Sequence, residues 1–165
     1  ARYHKLQDLL AAGEWKEADR ETALVMQQVA GREEKGWLSI EALEKFPCED
    51  LHAIDKLWVK YSDGRFGFSV QKRIWLEEGG KVDYETERRL GDRVGWRVKE
   101  WWLDYENLTL GLAAPTGHLP AWALRYGFEG RSIGGYCGGR GYGGGVWAGQ
   151  PFLGLVFSRA QICKL

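Results

Sequence analysis

The chain has 165 residues, enough for one domain with a real core. Its 23 basic and 23 acidic residues cancel to a net charge of +0, so no overall basic field draws in nucleic acid. No run of about 18 apolar residues is present, which excludes a membrane-spanning helix and leaves only peripheral membrane contact open.

The chain opens on Ala1-Arg2-Tyr3-His4, without Met and without an apolar signal core. It reads as an excised domain with no targeting segment in view. Tyr3, Leu6, Leu9 and Leu10 mark a short amphipathic helix ending at Gly13. Trp15, Ala18, Thr22, Val25, Met26 and Val29 form one face of a second helix, stopped by Gly31. Arg32 to Gly36 is a charged connector. Ser39 is placed to cap a short helix carrying Ile40 and Leu43, and Pro47 limits it.

Leu51, Ile54, Leu57, Trp58 and Tyr61 give the apolar face of a long helix, and Ser62-Asp63-Gly64 is a turn signal. Phe66, Val70 and Ile74 repeat at helical spacing until Gly79-Gly80. Asp83 to Val94 is a charged helix with Leu90 and Val94 inward.

From Gly95 the texture changes. Trp96, Trp101, Trp102, Tyr105, Leu108, Leu110 and Leu112 keep no clean helical period. The alternation of Leu108, Leu110 and Leu112 allows a short extended piece, and Pro115 and Pro120 rule out a long helix. Gly127 to Gly154 is glycine-rich and cannot build a packed core alone, so it reads as a mobile loop or adaptable lid. Phe152 to Leu165 is apolar again and docks back as a closing helix or strand.

The three cysteines, Cys48, Cys137 and Cys163, are odd in number and widely spaced. They suggest neither a disulfide framework nor a metal site, and a reducing intracellular compartment is the simple reading. Nothing resembles catalytic equipment. The glycine-rich stretch lacks the lysine ending of a phosphate loop, no carboxylate pair sits in an apolar setting, and no nucleophile elbow occurs. His118 either ligates a metal at the centre of a ligand or orders its own loop, and the second is the preferred reading.

Nine tryptophans in one small domain suggest a partly open aromatic surface as well as a core. Trp96 to Tyr105 is the best binding candidate, because a flat conjugated ligand needs aromatic walls. Arg125, Arg131 and Arg140 follow it and suit ligand carboxylates. An ordinary core with arginines facing water fits the same residues equally well.

A resemblance decides between these. The run from Phe46 to Leu76, with its single Ser-Asp-Gly turn, and Ala113 to Pro120 (A-A-P-T-G-H-L-P) resemble the genomes-uncoupled-four family. That family is the porphyrin-binding regulator of magnesium chelatase in oxygenic phototrophs. The resemblance covers roughly Leu6 to Pro120. It implies an all-α, compact single-domain helical bundle with an open aromatic groove formed by two loops. One loop is Ala30 to Leu38, with Trp37 as its aromatic. The other is Trp96 to Leu112, where Trp101 matches a family aromatic and Leu108 and Leu110 replace others. The implied ligand-binding set is Trp37, Trp96, Trp101, Trp102, Tyr105, Leu108, Leu110, His118, Arg125 and Arg131, the arginines serving propionates.

On this reading residues 1–126 are the tetrapyrrole-binding core, and 127–165 are the glycine-rich loop and closing segment of the same domain. The implied ligand is protoporphyrin IX or magnesium protoporphyrin IX, bound without catalysis and without a protein metal site. The implied partner is a magnesium chelatase subunit or another signalling protein, in cyanobacterial cytoplasm or plastid stroma. The C-terminal third is similar instead to stand-alone or multidomain members of the family. It brings in haem or a linear bilin as alternative ligands, with Cys137 a bilin attachment point or, as preferred, an unreactive loop cysteine. A protein–protein interaction module gripping a peptide is the alternative of a different class.

Overall fold

A computed structural model of the protein describes residues 2–128 and 152–165. These residues run α1 (His4–Ala11), α2 (Trp15–Val29), α3 (Ile40–Glu44), α4 (Cys48–Tyr61), α5 (Phe68–Glu77) and α6 (Tyr84–Val94). A two-stranded hairpin follows, β1 (Arg97–Val98) and β2 (Trp101–Trp102), then a 3-10 turn at Tyr105–Asn107, α7 (Trp122–Tyr126) and α8 (Leu153–Ile162). The expected helical architecture is what the chain adopts. The glycine-rich stretch with Arg131, Cys137 and Arg140 lies outside the described residues.

Local chemistry sets the helix starts. Ser39 Oγ accepts from the Ala42 amide at the head of α3, and Asp83 Oδ1 accepts from Thr86 at the head of α6. Between α4 and α5, Ser62 Oγ donates to the Trp58 carbonyl and accepts from the Phe66 amide. Phe66 therefore sits in the turn ahead of α5, not on its face, although it is fully buried.

α2 packs on α1 and α7, and α5 packs on α4, α6 and α8. Trp58, Phe66, Phe68, Trp96 and Phe157 are among the largest fully buried side chains. Trp58 lies 6.2 Å from the half-buried Trp15 and 6.3 Å from Phe66, ring centre to ring centre, and its Nε1 donates to Thr22 Oγ1 at 2.9 Å. Gly117 is wedged where α5 meets the end of α6. A Cβ there would come within 2.8 Å of Ile74 Cδ1 and 2.9 Å of Val94 Cγ1, so a side chain would have to push both aside, at a φ of 81° that favours glycine.

Two expectations are corrected. The extended piece is not at Leu108–Leu112 but at the hairpin, where Arg97 faces Trp102 and Val98 faces Trp101 across a Lys99-Glu100 turn. Both turn residues have positive φ, 50° and 70°, the backbone of a two-residue hairpin turn, which here lacks the usual Asn-Gly. The cysteines are not all free either: Cys48 and Cys163 form a disulfide across 115 residues. The pairing arises because α8 returns across α3 and α5, bringing its C-terminus to the head of α4, a proximity that spacing does not reveal. His52 Nε2 donates to the Cys163 carbonyl beside it at 2.7 Å. The argument for a reducing compartment from unpaired cysteines therefore falls.

Candidate functional site

The short helix α7 is where the two loops meet. Its C-terminal end takes the first loop: the Leu38 amide donates to the Gly127 carbonyl at 2.7 Å, and Leu38 bridges to Phe128. Its outer face takes the second. Trp122 and Tyr126 stand one helical turn apart, so they share a face. The Tyr105 ring meets Trp122 edge-on at 4.8 Å and Tyr126 at 6.1 Å, and Trp122 lies 4.8 Å from Tyr126. The Tyr105 amide donates to Tyr126 Oη. Trp122 and Tyr126 remain half-buried, while Tyr105 is 6% exposed.

Cations cover the aromatics on both loops. The exposed Arg20 of α2 places its guanidinium 4.6 Å from the Trp122 ring and 5.8 Å from Tyr105. Arg32 lies 4.4 Å from the Trp37 ring and donates through Nε to the Trp37 carbonyl. Each is a cation–π contact, with Arg20 exposed and Arg32 half-buried. A cleft of about 350 Å³ lies beside the first loop, lined by Val29, Arg32, Ser39, Glu41, Lys45 and Pro47 among others.

Asp19 underlies the cluster. It is fully buried on α2, Oδ1 accepting from Ala121 N at 2.7 Å and Oδ2 from Trp122 N at 3.0 Å and Tyr105 Oη at 2.8 Å. Burial pushes its carboxyl up to about 6, against the pull of those three donors and the Arg20 charge. Burial, and then the Asp19 charge, raise the Tyr105 phenol.

The ten residues implied by the resemblance divide by accessibility. Trp101 is 60% exposed at the hairpin tip. Trp37, Trp102 and Leu110 are half-buried. Trp102 lies over α6 at Gly91, where a Cβ would come within 2.6 Å of its ring. Trp96 is fully buried and donates through Nε1 to the His118 carbonyl at 2.8 Å, which makes it core and not an open wall. Leu108 is also buried.

His118 is 2% exposed, its Nδ1 donating to the Val94 carbonyl at 2.6 Å. Burial lowers its pKa, so the ring is neutral and ties its loop to the end of α6. That bond fits the loop-ordering role. Arg125 does not stand at a rim. It is 1% exposed, because Trp122 and Tyr126 take the outer face of α7 and turn Arg125 inward, where it donates to the Leu103 carbonyl. Arg131 is outside the described residues. Among the described residues no group of three or more His, Cys, Asp or Glu is arranged to hold a metal, and no helix is long and apolar enough to cross a membrane.

Sequence reading missed Arg20, Trp122 and Tyr126. The i, i+4 aromatic pair directly after Pro120 was a usable signal. Arg20 was not, because a cation–π contact between elements leaves no local pattern.

Comparison with known proteins places this arrangement. The chain is 37% identical over 121 residues to a Ycf53-like protein of Synechocystis, and 40% identical over 124 residues to a protein of Arabidopsis thaliana named tetrapyrrole-binding protein, chloroplastic. These matches cover 72% and 70% of this chain but 50% and 46% of the relatives, so the chain spans about half the length of the curated relatives it matches. Ligand-free GUN4 of Arabidopsis thaliana superposes with a TM-score of 0.64 at 32% identity, covering 76% of this chain and 86% of that one. GUN4 of Chlamydomonas reinhardtii gives 0.62 at 28% identity, with 72% and 79% covered. The GUN4-like family model matches residues 1–132, most of the 165, and the chain therefore belongs to the GUN4-like family.

Proposed function

We propose that this chain binds a tetrapyrrole without covalent attachment, in an open aromatic groove between the 30–38 and 96–112 loops, and that it acts by regulation and not by catalysis. The observation that carries the reading is the half-open Tyr105–Trp122–Tyr126 cluster under the exposed Arg20, on the helix that anchors both loops. Family membership and the name of the Arabidopsis relative, a tetrapyrrole-binding protein, support it. The rings offer apolar area to a macrocycle face, and Arg20 and Arg32 offer positive charge to its carboxylates. Trp101 at the hairpin tip and Leu110 are further apolar candidates for the ligand. Arg131 remains a second candidate for the carboxylates.

On this proposal the ligand is protoporphyrin IX or its magnesium form, the receiving partner is a magnesium chelatase subunit, and the setting is cyanobacterial cytoplasm or plastid stroma. Haem or a linear bilin would use the same rings and cations. Titration with protoporphyrin IX, magnesium protoporphyrin IX, haem and biliverdin tests the reading. Tryptophan fluorescence should be quenched with a Kd near 1 μM, about −8 kcal/mol. Trp122→Ala should weaken binding about tenfold while the helical circular dichroism is kept. If no pigment quenches the tryptophans or shifts its own absorbance at tens of micromolar, a peptide-gripping interaction module takes over as the explanation.

Charge gives a second check. Arg20→Glu should weaken a porphyrin diacid more than its dimethyl ester, because only the acid meets the reversed charge. An exposed pair contributes about 0–1 kcal/mol, so a loss near tenfold would mean a bidentate or partly shielded contact. Equal relative losses for acid and ester would show that Arg20 does not read carboxylates.

A further inference from the structure

α7 cannot cap itself. Its N-cap residue is Ala121, whose side chain has nothing to offer the free amides of the first turn. The cap comes instead from Asp19, 102 residues earlier in the chain, which accepts from both Ala121 N and Trp122 N. The same carboxylate accepts from Tyr105 Oη. One buried group on α2 thus fixes the start of the helix that bears Trp122 and Tyr126, and the ring that packs edge-on against both.

We propose that Asp19 is a positioning residue for the ligand face, its buried carboxylate holding Tyr105 and the first turn of α7 in the arrangement the tetrapyrrole meets. This inference rests on the tetrapyrrole reading above. The reason lies in counting donors. Three donors converge on two carboxylate oxygens, an arrangement suited to an anion, which is acceptor only. A proton on Oδ2 makes that oxygen a donor. Tyr105 must then turn its hydroxyl round to accept, or leave, and the Trp122 amide loses strength in its bond. Either change moves a member of the aromatic cluster.

The group titrates in an accessible range, near 6, because burial raises it from 3.8. The sign is unfavourable to the fold. The folded state binds the proton more tightly than the unfolded chain, so this group's contribution is complete below 3.8 and is lost as pH rises through 6. Ionised Asp19 thus costs global stability while ordering the cluster. Its charged and titratable surroundings are Arg20 on its own helix and Tyr105 from the 3-10 turn. On the other packed elements, Lys5 of α1 is paired with Glu21, and α7 brings Arg125, which donates to the Leu103 carbonyl, and Tyr126, which accepts from the Tyr105 amide.

The test uses protoporphyrin IX and the whole chain, between pH 5 and 7.5, on wild type, Asp19→Asn and Tyr105→Phe. Wild-type affinity should fall on acidification through about pH 6, with a near-ultraviolet dichroism change at the same midpoint in the unliganded protein. Asp19→Asn should bind about tenfold more weakly at pH 7.5, lack the midpoint, and keep its helical spectrum. Its own pH series removes the ionisation of the ligand from the comparison. Tyr105→Phe deletes a hydrogen bond that favours the carboxylate, so its midpoint should move to higher pH. A merely structural aspartate would shift the dichroism midpoint in Tyr105→Phe but leave ligand affinity without a matching pH midpoint. Wild-type binding with unchanged affinity and pH profile in Asp19→Asn overturns the inference alone. If Asp19→Asn does not fold, an unshifted midpoint in Tyr105→Phe overturns it. Absence of binding by wild type at every pH instead overturns the tetrapyrrole reading, and the inference with it.

Discussion

Trp58→Ala is expected to lower the stability of the fold by roughly 3–5 kcal/mol. The side chain is fully buried on α4 and faces Trp15 and Phe66. Truncation removes its transfer energy and leaves a cavity between α2, α4 and the Ser62–Phe66 turn. It also removes the partner of Thr22 Oγ1, which keeps only its own bond to the Ala18 carbonyl. Urea denaturation followed by circular dichroism measures the loss. Trp101→Ala is the control: at 60% exposure on the hairpin tip it should change stability by less than about 0.5 kcal/mol. A Trp101 variant that loses as much as the Trp58 variant would mean that core and surface have been exchanged.

The second large effect is expected from reduction. The Cys48–Cys163 disulfide closes a loop of 115 residues, and on the chain-entropy account its loss frees the unfolded state by about 4–5 kcal/mol. Dithiothreitol should therefore lower the denaturation midpoint, and Cys163→Ser should lower it equally and without further response to the reductant. Thiol counting in denaturant separates the states, because Cys137 alone should react before reduction and all three cysteines after it. Three reactive thiols in protein kept from reductant would sink the prediction. α8 should stay docked after reduction. Phe157 packs 6.0 Å from Trp75, and Arg159 donates to the Phe46 carbonyl, contacts that do not involve the disulfide.

The long helices were legible because each buries one stripe. Leu51, Ile54 and Trp58 repeat at the helical period, and the structure buries all three. The ends were legible where a local side chain caps them, as at Ser39. Legibility failed where a remote group does the work. α7 is five residues long and is capped by Asp19 from another helix, so no local capping residue announces its start. The hairpin has Lys99-Glu100 at its turn instead of a glycine pair. The aromatics between Trp96 and Tyr105 follow no period. Their sorting depends on separate neighbours: the His118 carbonyl draws Trp96 inward, Gly91 makes room for Trp102, and Trp101 faces water. Arg125 looked like a rim residue because its type is usually outside, and only the rotation of α7 turns it in.

α8 brings an order of assembly with it. Leu153, Val156, Phe157 and Ala160 fill a seam over α3, α5 and α6, where Trp75 and Val82 wait for them. On the ribosome this segment emerges after everything it covers. The family-matched stretch can therefore gather its helices while one flank is still uncovered, and the thiols of Cys48 and Cys163 cannot meet until α8 has left the exit tunnel. A nascent chain paused before that point presents a greasy flank to its neighbours, and α8, made after the helices it covers, closes it.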